Sequence, residues 1–137
     1  MDESTGRDAE VGSWPQGIGA ITLFVEDLDA TKQFYGEVFG LAVAFEDEHS
    51  AVFDFGNTIV NLLKVTAAGE LIEPSAVAGR EAGSRQVLTI EVDDVDAVCA
   101  QLTTRGVELL NGPMDRPWGV RTASFSDPGG HIWEIAK

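Results

Sequence analysis

The sequence of 137 residues predicts a single α+β domain that is built from two tandem βαβββ modules. The first observation is an internal repeat: Val25-Glu-Asp-Leu-Asp-Ala30 returns 67 residues later, from 25 to 92, as Val92-Asp-Asp-Val-Asp-Ala97. The second is that each copy follows an apolar run and precedes a stretch of helical periodicity. The third is that each copy leads to a glycine-containing turn and a further apolar run, at Gly56-Asn57 and at Gly129-Gly130.

Module one is predicted over 14–65. Asp29 is the predicted N-cap of its helix, because a short carboxylate accepts hydrogen bonds from the free N–H groups of the first turn. Gly40 is the predicted end of this helix, and Phe53 and Phe55 are expected to face it in the core. The apolar stripe of the helix consists of Phe34, Tyr35, Val38 and Phe39. The predicted elements are strands at 18–25, 41–45, 51–55 and 58–65 and a helix at 29–39.

Module two is predicted over 85–137 and repeats this order. Asp96 is the predicted N-cap of the second helix, and Gly106 is its predicted end. Cys99 lies on the apolar stripe of this helix and is expected to be a small buried hydrophobe rather than a nucleophile. The other residues of the stripe are Val95, Val98 and Leu102. The predicted elements are strands at 87–92, 107–110, 121–126 and 132–136 and a helix at 96–105.

Two further segments complete the organisation. Residues 1–13 are polar and acidic, and we expect a disordered tail there. Residues 66–84 contain several glycines and a proline, which predicts a linker with a short helical piece. The ordered part is therefore one domain over 14–137.

Composition excludes several classes of protein. The net charge of −14 argues against binding to nucleic acid and to an anionic membrane surface. The single cysteine excludes an internal disulfide and a zinc site built from several cysteines. No apolar run approaches the ~20 residues of a membrane-spanning helix, and the polar N-terminus is unlike a secretory signal. We therefore expect a cytoplasmic protein.

Several motifs resemble those of the vicinal oxygen chelate superfamily, which contains glyoxalase I, the extradiol dioxygenases and the bleomycin-resistance proteins. The motifs are Ile21-Thr-Leu-Phe-Val-Glu-Asp27, Phe34-Tyr-Gly-Glu-Val-Phe-Gly-Leu41, Pro117-Trp-Gly-Val-Arg121 and Asp127-Pro-Gly-Gly-His-Ile-Trp-Glu134. The resemblance covers 14–137. It implies that each module curls into a half-barrel and that two half-barrels form a cleft.

The resemblance also implies where a metal would be bound. In family members that use a metal, the ligands come from the first and fourth strands of each module, and these positions fall on Ala20, Asn61, Val87 and Glu134. Alanine and valine have no donor atom, and asparagine is a poor ligand for a transition metal. Because catalytic sites usually show about three protein ligands, we expect no metal and no other cofactor. The alternative is a divalent cation near Glu134. The two histidines, His49 and His131, are expected to be exposed loop residues.

Strand alternation predicts which side chains line the cleft. If Glu134 faces inward, so does Ile132, while Trp133 faces the helices. A four-residue hairpin turn at 127–130 would place Ala123 opposite Glu134 and Arg121 diagonal to it. This geometry predicts an Arg121–Glu134 pair in the cleft, which either neutralises itself or binds a ligand. Glu134 is the one candidate catalytic residue. The candidate ligand-binding residues are Thr22, Phe24, Asn61, Thr89, Glu91, Trp118, Arg121 and Glu134.

These residues favour a metal-independent protein that binds or sequesters a small organic molecule, cationic or aromatic. The acidic net charge would attract a cation, and Trp118 would stack on a flat ligand or cap the edge of the core. The alternative is a lyase, isomerase or dioxygenase that uses Glu134 as base or ligand, so whether the chain is an enzyme stays open. A ligand-sensing module is a third class. We expect a homodimer, with the half-barrels paired within one chain or between two.

Overall fold

The computed structural model describes residues 17–137, so the predicted tail at 1–13 lies outside the described residues. Module one contains β1 (Ala20–Val25), α1 (Leu28–Val38), β2 (Val43–Glu46), β3 (Ser50–Asp54) and β4 (Ile59–Lys64). The linker contains α2 (Val65–Ile72) and a 3-10 turn at Arg80–Ala82. Module two contains β5 (Val87–Glu91), α3 (Val95–Thr104), β6 (Asn111–Asp115), β7 (Arg121–Ser126) and β8 (Ile132–Ala136).

The two modules have the same sheet topology, which confirms the α+β fold of two βαβββ modules. The strand orders are β1-β4-β3-β2 and β5-β8-β7-β6. In each sheet the first and fourth strands of the module are parallel, and the other neighbours are antiparallel. No helix within 17–137 has the length and apolar character needed to cross a membrane.

Both helices begin earlier than the sequence predicts, and their caps are different aspartates. Asp27 caps α1, since its Oδ1 accepts a hydrogen bond from the N–H of Ala30 at 3.0 Å. Asp94 caps α3 through the N–H of Ala97, also at 3.0 Å. The predicted caps Asp29 and Asp96 are wrong and lie in the first turns. The earlier start brings Leu28 and Val95 into the helices and buries them.

The strand predicted at 107–110 is also misplaced, because β6 occupies Asn111–Asp115. Gly112 and Pro113 lie inside this strand, and both residues are disfavoured in strand interiors. The strand tolerates them because it is the edge of its sheet, and a register shift between Asn111 and Met114 interrupts its pairing with β7. Val107, which suggested the earlier strand, is a buried core residue in the loop before it.

The helix-facing sides of both sheets share one hydrophobic core. The rings of Phe39 and Phe55 contact Trp133 at centroid distances of 5.0 and 5.4 Å. At the centre, the Tyr35 hydroxyl donates to Asp127 Oδ2 at 2.8 Å and accepts from Trp133 Nε1 at 3.0 Å. Burial, and after it the charge of Asp127, raises the pKa of Tyr35 above its ordinary value. The core includes both predicted helix stripes, among them Cys99, whose thiol pKa is raised by burial.

Candidate functional site

Each sheet has an open face, which we define as the face opposite the shared core. Strand alternation assigns side chains to it, because successive residues of a strand point to opposite faces. In β8, Trp133 and Ile135 are buried in the core, so Ile132, Glu134 and Ala136 belong to the open face as predicted. Cross-strand register then identifies the neighbours of Glu134 on each adjacent strand.

A row of four polar side chains crosses the open face of module two. Thr89 is in register with Glu134, Glu134 with Ser124, and Ser124 with Asn111, so the row runs over β5, β8, β7 and β6. The Thr89 hydroxyl donates to Glu134 Oε1 at 2.8 Å. Adjacent strands lie about 4.8 Å apart, so Glu134 and Asn111 are about 10 Å apart across the sheet. A small organic molecule can span this distance.

The β7–β8 hairpin differs by one residue from the predicted turn. Asp127 N donates to the carbonyl of His131 at 3.0 Å, so these two residues close a three-residue loop that contains Gly130 at φ +88°. Asp127 Oδ1 also accepts from the N–H groups of Gly129 and His131. Ser124, and not Ala123, is therefore opposite Glu134. A one-residue shift moves every side chain of the paired strand to the other face.

The predicted Arg121–Glu134 pair is wrong for this reason. Arg121 lies on the helix side of β7, where it donates to both oxygens of Asp96 on α3 at 2.9 and 3.1 Å. Its Nη1 donates to Asp115 at 3.0 Å. These bonds raise the pKa of Arg121, and the Arg121 hydrogen bonds lower the pKa of Asp96. Arg121 therefore ties α3 to the β6–β7 hairpin and does not reach the open face.

Arg116 occupies the open face instead, and it is not among the site residues that the sequence predicts. Its Nε donates to the Thr122 hydroxyl at 2.8 Å, and its Nη2 donates to Asn111 Oδ1 at 2.9 Å. Thr122 is in register with Ala136, and Asn111 with Ser124, so both acceptors are open-face residues. The guanidinium lies 6.0 Å from the ring centre of Trp118, whose side chain is 70% exposed. The available signal was the proximity in sequence of Arg116 to Trp118.

The open face of module one has an equivalent row with different chemistry. Thr22 is in register with Asn61, Asn61 with Val52, and Val52 with Phe45. The predicted residues Thr22 and Asn61 thus lie together, as Thr89 and Glu134 do. Among buried side-chain polar atoms of residues 17–137, Asn61 Oδ1 has no hydrogen-bond partner. An unpartnered buried acceptor is costly, which makes this atom a candidate contact.

The remaining predicted residues are more dispersed. Phe24 lies on β1 beside a cavity of about 340 Å³ that the linker covers. Glu91 lies two residues beyond Thr89 and lines a groove of about 840 Å³ along β5. Neither Asn61 nor Glu134 lines this cavity or this groove. Of the histidines, His49 is exposed, whereas His131 is half-buried and its Nε2 lies 2.9 Å from the carbonyl of Phe24.

The donor set does not fit a transition metal. Ala20 and Val87 lie on the open faces, in register with Ile59 and Ile132, and offer no donor atom. Within the described part of the chain no cluster of three or more His, Cys, Asp or Glu side chains could hold an ion. Glu134 is the one carboxylate at the four positions, and its Oε1 already accepts from Thr89. No chemical step is therefore derived through a metal.

Comparisons with known proteins agree with this fold. The model of the glyoxalase/bleomycin resistance protein/dioxygenase superfamily matches residues 17–135. An uncharacterised Bacillus subtilis protein, YraH, is 36% identical over 122 residues, which cover 85% of this chain and 94% of that protein. A glyoxalase/bleomycin resistance protein/dioxygenase from Nocardioides has a TM-score of 0.83 at 25% identity, covering 98% of this chain and 91% of its own. A glyoxalase-related enzyme from Fulvimarina pelagi has a TM-score of 0.77 at 28% identity, covering 89% and 88%.

Proposed function

The chain belongs to the glyoxalase/bleomycin resistance protein/dioxygenase superfamily, and we propose that it binds a small organic molecule on the open face of module two without a metal. The observation that carries this proposal is the polar row Thr89–Glu134–Ser124–Asn111. Thr89 bonds Glu134, and Asn111 bonds Arg116, so the row is held in place within the chain. A ligand that spans the row can use the hydrogen-bonding capacity that these side chains still have.

Metal-free binding is supported by the residues at the family's ligand positions. One carboxylate and one amide remain there, beside alanine and valine. On module two, hydrogen bonding by Glu134 replaces coordination as the means of holding the ligand.

A second copy of the chain completes this site in our proposal. The helix-facing sides of both sheets are already used in the shared core, and the linker lies over the module-one face near Phe24. The rest of these faces is the surface that we assign to a second copy. Four large apolar side chains are exposed on these faces, and their exposed fractions are 59% for Phe45, 39% for Ile59, 49% for Val87 and 40% for Met114. An apolar surface of this kind is typical of an interface. In a C2 dimer the open face of module two would meet that of the partner's module one, giving two equivalent clefts.

Calorimetric titration tests the ligand site. A thermal-shift screen of small organic molecules supplies a ligand, which is then titrated into the wild type and Glu134→Gln. Glutamine keeps the shape and removes the charge, so we expect an unchanged fold and a dissociation constant about tenfold higher. Glu37→Gln is the matched control, because Glu37 lies on α1 and bonds Gln33. Equal dissociation constants for wild type and Glu134→Gln would remove Glu134 from the site.

Chelator treatment tests the absence of a metal. A tightly bound ion would stabilise the folded state by linkage, so its removal would lower the melting temperature. We expect the same melting temperature with and without chelator, and no stoichiometric transition metal by elemental analysis. A metal bound through Glu134 would overturn this part of the proposal.

Light scattering tests the dimer. We expect a mass of twice the 14.6 kDa chain for wild type and a shift toward one chain for Met114→Lys. Leu71→Lys is the control, because Leu71 is 64% exposed on α2 and belongs to neither sheet. A mass of one chain for wild type across a range of concentrations would contradict the dimer.

An enzymatic role is the second candidate. It is favoured by Glu134, whose Oε2 has no hydrogen-bond partner among residues 17–137 and is available to accept a proton. The relative from Fulvimarina pelagi is described as an enzyme, which agrees with it. The test is incubation of the screened ligand with wild type and Glu134→Gln, followed by mass analysis. Conversion by wild type alone would favour the enzyme, and an unchanged ligand would favour simple binding.

A further inference from the structure

Arg116 has an unusual environment for an arginine in so acidic a chain. Both of its side-chain hydrogen bonds go to neutral oxygens, those of Thr122 and Asn111. Among residues 17–137 no carboxylate lies within ion-pair distance of it, although the sequence carries 23 acidic residues. The adjacent Asp115 is paired with Arg121 on the other face of the sheet. No carboxylate therefore pairs directly with Arg116, although Asp93, Asp94, Asp96 and Asp115 line the same cavity of about 520 Å³.

The two hydrogen bonds also fix the direction of the guanidinium. They use one N–H of Nε and one of Nη2, and an arginine has five such donors in a planar fork. Three donors remain for a ligand. Because the neutral acceptors hold the fork without cancelling its charge, binding an anion needs little further ordering of the side chain.

Trp118 lies beside the guanidinium of Arg116 and adds a second feature that a ligand must match. Its ring centre is 6.0 Å from the guanidinium carbon, and the side chain is 70% exposed. An exposed indole next to a cation offers a flat apolar surface on which a ring can stack. A charge and a stacking surface at one place select ligands that carry both features.

We propose that the ligand of the open face of module two is an aromatic or otherwise planar acid, whose carboxylate or phosphate is bound by Arg116 and whose ring stacks on Trp118. This inference rests on the proposed function. It replaces the cationic ligand that the net charge of −14 suggests. An anion bound by the free N–H donors of Arg116 makes charge-assisted hydrogen bonds, which are stronger than the weak attraction of exposed carboxylates for a cation.

Three isosteric probes test the charge of the ligand: benzoate, benzamide and benzamidine, which are anionic, neutral and cationic. Each is titrated into ¹⁵N-labelled full-length protein while the side-chain N–H signals of Arg116 and Trp118 and the amides of Thr89 and Glu134 are followed. We expect benzoate to shift the Arg116 and Trp118 signals with saturation, and to bind about tenfold more tightly than benzamide. Benzamidine is expected to bind most weakly.

Two variants sharpen the assignment. Arg116→Gln should reduce benzoate affinity about tenfold and leave benzamide affinity unchanged, whereas Trp118→Leu should weaken both probes alike. Lys32→Gln is the control, because it removes the same charge from α1, where Lys32 pairs with Glu46. Equal or tighter binding of benzamide or benzamidine, with shifts at Thr89 and Glu134, would overturn the anionic ligand and leave the proposed function standing. If none of the three probes shifted any of these signals, both proposals would fall.

Discussion

Module one and module two place four side chains in register-matched rows across their open faces, and the rows differ beyond the first strand. Both begin with a threonine, Thr22 or Thr89. Module one continues with Asn61, Val52 and Phe45, and module two continues with Glu134, Ser124 and Asn111. The first row becomes apolar toward the sheet edge, while the second stays polar and ends against Arg116.

The core-facing sides of the same strands show no such divergence. Leu23 and Val60 in module one, and Trp133 and Ile135 in module two, are all apolar and nearly fully buried. Burial on one face is sufficient to fix strand register. The other face is then free to vary, so the two modules share a fold and can differ in chemistry. Of the two rows, the one in module two contains an ionisable group, Glu134, and has a polar side chain at all four positions.

The largest expected loss of stability comes from removing the hydrogen bond between Tyr35 of module one and Asp127 of module two. Asp127→Ala removes the acceptor of the Tyr35 hydroxyl and of two backbone N–H groups in the β7–β8 loop. Buried donors without partners are costly, so we expect unfolding free energy to fall by about 3–4 kcal/mol. Tyr35→Phe removes one of these bonds together with the acceptor of Trp133 Nε1, and it should cost about 2 kcal/mol. Urea unfolding measures both, and a loss of well under 1 kcal/mol for Asp127→Ala would mean that Asp127 contributes little to holding the modules together.

The stabilisation by the Tyr35–Asp127 hydrogen bond also depends on pH, and this effect is smaller. The raised pKa of Tyr35 keeps its proton in the folded state, while the unfolded chain releases it above the ordinary value of 10.0. The stabilisation that protonated Tyr35 gives the folded state is therefore complete below about pH 10. Above that pH, the free energy of unfolding falls by up to about 1.4 kcal/mol per pH unit. We expect wild type to lose about 1 kcal/mol of stability between about pH 10 and pH 11, with further loss at higher pH, and Tyr35→Phe to lack this loss.

Ultraviolet absorbance checks this directly, because Tyr35 is the one tyrosine of the sequence. Tyrosinate absorbance should appear only as the protein unfolds. Ionisation near pH 10 in a chain that circular dichroism shows to be folded would contradict the buried hydrogen bonds of Tyr35.

Much of this fold could be predicted from the sequence because the repeat and the apolar periodicity are local signals. Strands β7 and β8 match the predicted bounds, and the helix stripes are in the core. Strand β6 could not be predicted, since its Gly112 and Pro113 are tolerated only because the strand is a sheet edge. Edge position is a property of the whole sheet and leaves no signal in five residues.

The sequence predicts which strand residues lie on the open faces, but it does not predict which arginine lies beside them. Thr22 with Asn61, and Thr89 with Glu134, follow from alternation alone. The assignment of Arg121 depended on the length of one turn, which the side chain of Asp127 changes by bonding two N–H groups. A shift of one residue in the register places Arg121 on the helix side of β7 instead of on the open face. Arg116 was missed because it lies in a loop, where periodicity carries no information.

The helix caps offer a sharper test of equivalence between the modules. Asp27 and Asp94 make the same hydrogen bond at 3.0 Å, to the N–H of Ala30 and of Ala97. Asp27→Ala and Asp94→Ala should each lower the free energy of unfolding by about 1 kcal/mol. Asp29→Ala is the control, because Asp29 lies in the first turn of α1 and is not its cap. A loss for Asp29→Ala equal to that for Asp27→Ala would contradict the cap assignment.

The smallest expected effect compares the two fourth-strand positions. Asn61 Oδ1 is buried without a partner, whereas Glu134 accepts a hydrogen bond from Thr89. Asn61→Leu removes the unpartnered acceptor and keeps the volume, so the unfolding free energy should stay level or rise by about 0.5–1 kcal/mol. Glu134→Leu should give no such gain, since it leaves the Thr89 hydroxyl without its acceptor. Denaturant unfolding of both variants decides: a clear loss of stability for Asn61→Leu would mean that Asn61 has a partner in the folded protein, and that the difference between the rows is smaller than their side chains suggest.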